Sequence, residues 1–264
     1  MTTTPIFQTQ DALGTIEVYE KNGVRHLNFG SFAMQSAVER IHTNRLYFAY
    51  TQTMMGALLF QDMAEDDILL MGLGGGSVAK YFFDHFPQCR IEAIEYRQAV
   101  AQIAHDYFDL PYSPRLNIVI DDAAHYARER CVMQREFYRF IMLDLFDSEG
   151  ISPSLFNETF LTQCQAMLKK DGILVVNLWN NKAQFEQLFA WLGRLFQAKL
   201  LFLPVHGMVN MIGFFFHENT PIYSRKALQK RAVQLEKKYQ LPFKRYLKEF
   251  IAYNPNFIDN VTSA

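Results

Sequence analysis

The stretch Asp67-Ile-Leu-Leu-Met-Gly-Leu-Gly-Gly-Gly-Ser-Val-Ala-Lys-Tyr81 constrains the fold more than any other part of the chain. A short apolar run, four glycines within five residues and a helix-like pattern follow one another, which predicts strand, tight turn and helix start. Glycines at such a turn bring backbone N–H groups close to a ligand, and the helix behind them presents its partly positive end. Gly72, Gly74 and Gly76 are therefore candidate ligand-binding positions. The turn lacks the Lys-Ser/Thr pair of a phosphate-binding P-loop.

After this turn, strand-like and helix-like segments alternate. Strands are predicted at Arg90–Glu95, Leu116–Ile120, Phe137–Leu143 and Gly172–Leu178, with helices over Gln98–Phe108, from Ala123, over Ser154–Lys169 and over Lys182–Gln197. That alternation predicts a mostly parallel sheet with helices on both faces. Lys199–Pro204 and Met211–Phe216 are separated by only a short loop, which predicts an antiparallel hairpin at the sheet edge. The expected fold class is therefore α/β, a methyltransferase-like seven-stranded sheet. Ahead of it, three short alternating runs around Lys21-Asn22-Gly23 predict a small antiparallel β-domain over residues 1–44. A linker helix is expected within 45–66, the main domain over 67–222, and a basic helical tail over 223–264 with its charges on a solvated face.

Composition narrows the function by exclusion. The net charge is −1 and the pI about 6.7, so no concentrated basic surface points to nucleic acid. No apolar stretch is long enough to span a bilayer, and the start of the chain lacks the pattern of a secretion signal, so a cytoplasmic protein with no membrane association is expected. Cys89, Cys131 and Cys164 match no metal or redox spacing, and the seven histidines form no ligand pair, so no metal site is expected.

The chemistry is carried by acids at the ends of strands. Glu95 closes the second strand of the main domain, about twenty residues past the glycine turn, where α/β nucleotide sites place a carboxylate against the ribose hydroxyls. Asp121 and Asp122 end the next strand, where one can accept from an adenine amino group and one can cap the following helix. Asp144 ends a buried strand and Asp147 follows in a Gly-containing loop, so two carboxylates stand over the expected crevice. Such a pair suits a cationic substrate and supplies a general base.

These residues resemble the polyamine aminopropyltransferases, the spermidine synthase family, over roughly residues 15–217. Asp144, Asp147, Gly150 and Leu155-Phe156 match the family's Asp-x-x-Asp loop without gaps, and Phe48-Ala49-Tyr50 its linker helix. The resemblance implies transfer of an aminopropyl group from decarboxylated S-adenosylmethionine to a small-molecule diamine or polyamine, with no tightly bound cofactor and a homodimeric assembly. Asp144 would be the base on the attacking amine, Asp147 would hold the amine chain, Tyr50 would support the reacting nitrogen, and Gln35 would lie near the nucleoside. Glu95 falls on the ribose-binding acid, and Asp122 better than Asp121 on the adenine-binding acid. Departures fall on the donor tail and the acceptor. Gly75 stands where the family has an aspartate, Thr51 and Gly56 replace a Gln and a His, Ser148 replaces a Pro, and a late tyrosine has no equivalent unless His206 substitutes. Two other readings fit the same residues: a methyltransferase using intact S-adenosylmethionine, and a catalytically silent nucleoside-binding protein.

Overall fold

The computed structural model describes residues 4–30, 34–63, 65–146, 155, 157–179, 182–197, 199–221 and 223–254. Its first unit is a meander of four antiparallel strands, β1 (Phe7–Asp11), β2 (Gly14–Lys21), β3 (Val24–Asn28) and β4 (Met34–Glu39). The sequence pattern predicted only three; β1 carries just one apolar residue, Phe7, and pairs with β2 from Phe7↔Val18 to Asp11↔Gly14. The sheet does not fold around a core of its own. Ile16, Val18, Leu27 and Val38 bury their side chains against Val100, Ile103 and Phe108 of the main unit.

The segment expected as one long helix is a short α1 (Ala49–Met54) that tightens into a 3-10 turn over Met55–Leu59. Two threonines bend hydrogen bonds back onto it, Thr51 Oγ1 to the Phe48 carbonyl at 2.8 Å and Thr53 Oγ1 to that of Ala49 at 2.7 Å. The core takes Met54, Met55, Leu58 and Leu59.

The main sheet has seven strands: β5 (Asp67–Met71), β6 (Arg90–Glu95), β7 (Leu116–Ile120), β8 (Tyr138–Leu143), β9 (Leu168–Trp179), β10 (Leu200–Pro204) and β11 (Asn210–Phe216). Their spatial order is β10-β11-β9-β8-β5-β6-β7, with β11 antiparallel to both of its neighbours and the rest parallel. Helices α2 (Ser77–His85), α3 (Gln98–Tyr107), α4 (Ala123–Arg130), α5 (Glu158–Met167) and α6 (Lys182–Leu195) connect them. Helix α5 is shorter than the pattern predicted. Asn157 caps its start by accepting from the Phe160 N–H at 3.2 Å, and Leu168 leaves it in extended conformation to pair with Tyr138 on β8.

The C-terminal segment departs furthest from expectation. It forms α7 (Arg225–Tyr239) and α8 (Phe243–Tyr253), whose apolar faces, including Leu228, Ala232, Tyr246 and Phe250, belong to the main core. The basic residues occupy the outer face, while Arg231 reaches inward to the Leu58 carbonyl at 2.7 Å. Phe250 packs its ring on Phe60 and Phe214 at 5.2 and 5.0 Å. A Cβ at Gly56 would press on those same rings of Phe214 and Phe250, which accounts for the small residue there.

Candidate active site

Sheet order reverses on either side of β5, and ligand crevices in such sheets open at the carboxyl ends of strands at that switch point. Register determines who meets there. Met71 pairs with Ile94 on one side and Leu143 on the other, so Gly72, Glu95 and Asp144 are the next residues of three adjacent strands. Gly72 has φ +94°, and a Cβ on it would collide with the carbonyl oxygen of Asp144. Only glycine allows the two strand ends to close up in this way.

A cavity of about 720 Å³ lies over these strand ends, within the range typical of small-molecule sites. Gln35, Tyr50, Gly72, Gly74, Glu95, Asp121, Asp122 and Asp144 all line it. Gly76 does not; it serves as the left-handed residue ahead of α2, at φ +76°. Asp147, Gly150 and Phe156 lie outside the described residues. His206 is exposed and away from the lining, where Met208, Val209 and Asn210 stand instead.

Glu95 is 8% exposed. Its Oε2 accepts from the N–H groups of Leu73 and Gly74 at 3.2 and 3.3 Å, and its Oε1 from that of Arg97 at 2.9 Å. Burial nonetheless raises its carboxyl above the usual value, the backbone donors offsetting part of the effect. The two neighbouring aspartates have divided their work. Asp122 Oδ1 caps α4 through the Ala124 and His125 N–H groups at 3.0 and 2.9 Å, and Asp121 Oδ2 pairs with His125 Nδ1 at 2.8 Å.

Asp144 sits at the other end of the cavity. Its Oδ1 accepts from Asn177 Nδ2 at 2.8 Å, and the Tyr50 hydroxyl also hydrogen-bonds it. Burial raises the Asp144 carboxyl, against the lowering effect of these two donors. Burial likewise drives the Tyr50 phenol well above its ordinary value, helped by the charge of Asp144. Among the described residues, four carboxylates thus face the cavity with one guanidinium, that of Arg97, which is occupied by Asp11 at 2.7 and 2.9 Å. The balance favours a cation.

Sequence reasoning missed several lining residues. Asn177 carried a visible signal, a lone amide in the apolar run Ile173–Leu178. Asn210, Ser36 and Arg97 carried none. Ser36 also explains Gly75: a Cβ there would lie 2.6 Å from Ser36 Oγ and 3.0 Å from Phe108 Cδ1, so β4 and the end of α3 fill the space a side chain would need. The Ser36 and Ser77 hydroxyls lie 3.2 Å apart, leaving neutral groups beside the turn.

Known proteins resemble this chain in sequence and in fold. Residues 47–226 match the family model described as the spermine/spermidine synthase domain. A polyamine aminopropyltransferase of Neisseria meningitidis serogroup A is 32% identical over 242 residues, covering 91% of this chain and 90% of its own. Among solved structures, a probable spermidine synthase from Corynebacterium glutamicum aligns with TM-score 0.75 at 21% identity, over 89% of this chain and 87% of its own. The human methyltransferase-like protein 13 in complex with SAH aligns at 0.67 and 23% identity, over 74% and 93%. Both structures have the same fold. The family model spans the glycine turn and every acid from Glu95 to Asp144, and the Neisseria relative covers nine-tenths of the chain: the chain belongs to the spermine/spermidine synthase family.

Proposed function

We propose that the protein transfers an aminopropyl group from decarboxylated S-adenosylmethionine to a diamine or polyamine, releasing methylthioadenosine. The observation that carries this reading is Asp144, a half-buried carboxylate hydrogen-bonded by Tyr50 and Asn177, in one cavity with Glu95 and the glycine turn. Glu95 would accept from the ribose hydroxyls, and Asp122 would use the oxygen not engaged in capping on the adenine amino group. Gln35 would close the nucleoside from the N-terminal sheet.

The acceptor amine must lose a proton to attack. With a pKa near that of lysine, about 10, its neutral form costs roughly 4 kcal/mol at pH 7. Asp144 takes that proton, Tyr50 orients the nitrogen, and Asp147 holds the distant end of the amine. Nitrogen then bonds to the methylene next to the cationic sulfur; the carbon–sulfur bond breaks, its electron pair stays on sulfur, and a neutral thioether departs. Sulfonium is already a good leaving group, so the protein supplies orientation and charge placement.

Purified protein incubated with the decarboxylated donor and a panel of diamines should produce methylthioadenosine, read by chromatography. Donor binding without product from any amine would refute the assignment. Asp144→Asn should lower turnover by about 10² or more. A second reading, a methyltransferase taking intact S-adenosylmethionine, is favoured by the neutral Ser36–Ser77 pair next to Gly75, where no anion repels a carboxylate tail. Calorimetry with both donors separates the two.

A further inference from the structure

Two asparagines, Asn177 and Asn210, form a chain behind Asp144. Leu143 pairs with Val176, so Asp144 and Asn177 are the next residues on adjacent parallel strands; Asn177 pairs in turn with Ile212, which places Asn210 two residues away on β11, on the same face. Asn210 Nδ2 donates to Asn177 Oδ1 at 3.0 Å, and Asn177 Nδ2 donates to Asp144 Oδ1 at 2.8 Å. The asparagines are 8% and 2% exposed.

The chain has a direction. An ionised carboxylate only accepts, so Asn177 must present its NH2 to Asp144, and its carbonyl is left facing away from the cavity. That buried oxygen needs a donor, and Asn210 provides one. A half-turn of the Asn177 amide, which would suit a protonated Asp144, sets its NH2 against the NH2 of Asn210 and leaves two buried donors unpaired.

We infer that Asn210 is a positioning residue for the base: by donating to Asn177 Oδ1 it holds the Asn177 amide in the orientation that donates to Asp144, and so favours the carboxylate form. The role of Asp144 as base rests on the proposed function; the amide chain does not. Among the described residues, Tyr50 on α1 is the titratable group in contact with Asp144, while Glu95 and Arg97 at the end of β6 and Asp121 and Asp122 at the end of β7 face the same cavity with partners of their own. Asn210 also follows directly on Met208 and Val209, which line the cavity, and its carbonyl accepts from the Val205 N–H at 2.9 Å.

The test compares Asn210→Leu, a similar shape with no donor, and Asn210→Asp, a similar shape with an acceptor facing the Asn177 oxygen. The readout is the carboxyl carbon signal of Asp144 in ¹³C-aspartate-labelled protein, assigned with Asp144→Asn and followed against pH, which requires no turnover. The Asp144 midpoint should rise in both variants, more in Asn210→Asp, by about one unit, with the acid limb of kcat moving equally and activity below that limb falling about tenfold. In the wild-type protein the side-chain amide signals of both Asn177 and Asn210 should shift at the Asp144 midpoint, a measurement that holds even where neither variant folds. A midpoint that stays fixed in a folded variant, or an Asn210 amide that ignores the Asp144 titration, overturns the inference. An inactive wild-type protein with the expected titrations refutes the proposed reaction and leaves the amide chain standing.

Discussion

Gly72 and Asp144 show how tightly single residues are held at this site. A methyl group at position 72 meets the Asp144 carbonyl and must also adopt φ +94°, so Gly72→Ala combines backbone strain of about 1–3 kcal/mol with displacement of the base. The expected outcome is a lower urea midpoint and a loss of turnover larger than the loss of nucleoside affinity. Asp144 itself works against stability. Burial raises its carboxyl in the folded state, so its contribution is full below the unfolded value and is lost as pH rises through the folded one. Asp144→Asn should therefore raise the melting temperature at pH 7, by about 2–4 °C for each kcal/mol recovered, while lowering turnover. A melting temperature that drops would show that the carboxylate is stabilising. Asp122 and Asp144 were legible as strand-end carboxylates, and so was a helix cap at Asp121 or Asp122; that Asp144 leans on Asn177 was not, because that contact depends on the register between β8 and β9.

Arg97 joins two elements that the sequence pattern treats as separate. Its backbone N–H supports Glu95, its guanidinium holds Asp11 and the Gly14 carbonyl of the N-terminal sheet, and Phe29 lies against it at 4.7 Å. The hydrogen bond from Arg97 lowers the Asp11 carboxyl, so the stability this pair adds is present above the unfolded value of Asp11 and lost as pH falls through the folded one. Asp11→Asn removes the charge and weakens the tie between the N-terminal sheet and the end of β6. Binding of methylthioadenosine, measured by calorimetry, should weaken about tenfold, or about 1.4 kcal/mol; unchanged binding would mean that Gln35 and Ser36 hold their places without this tie.

At the scale of the molecule, α7 and α8 complete the hydrophobic core rather than trail from it. Their basic residues dominate the composition of the segment, but Leu228, Ala232, Leu235, Tyr239, Phe243, Tyr246, Leu247 and Phe250 recur at helical spacing and are all buried. Phe250→Ala should cost about 3–5 kcal/mol in chemical unfolding, as expected for a fully buried aromatic side chain. A cost near zero would place α8 outside the cooperative unit.

Alternation of apolar and polar residues, and the spacing of glycines and acids, are properties of the chain itself. They were enough to order the strands and helices of the main unit, to place an antiparallel hairpin at its end, and to put Glu95, Asp121, Asp122 and Asp144 at strand termini. The sheet order then collects those termini at one edge. What only the tertiary structure decided is which neutral and charged groups touch there: Asn210 behind Asn177, Asp11 on Arg97, Ser36 in the space a side chain at Gly75 would take. Each of those contacts joins residues 30 or more positions apart, and local periodicity carries no information about register between such distant segments.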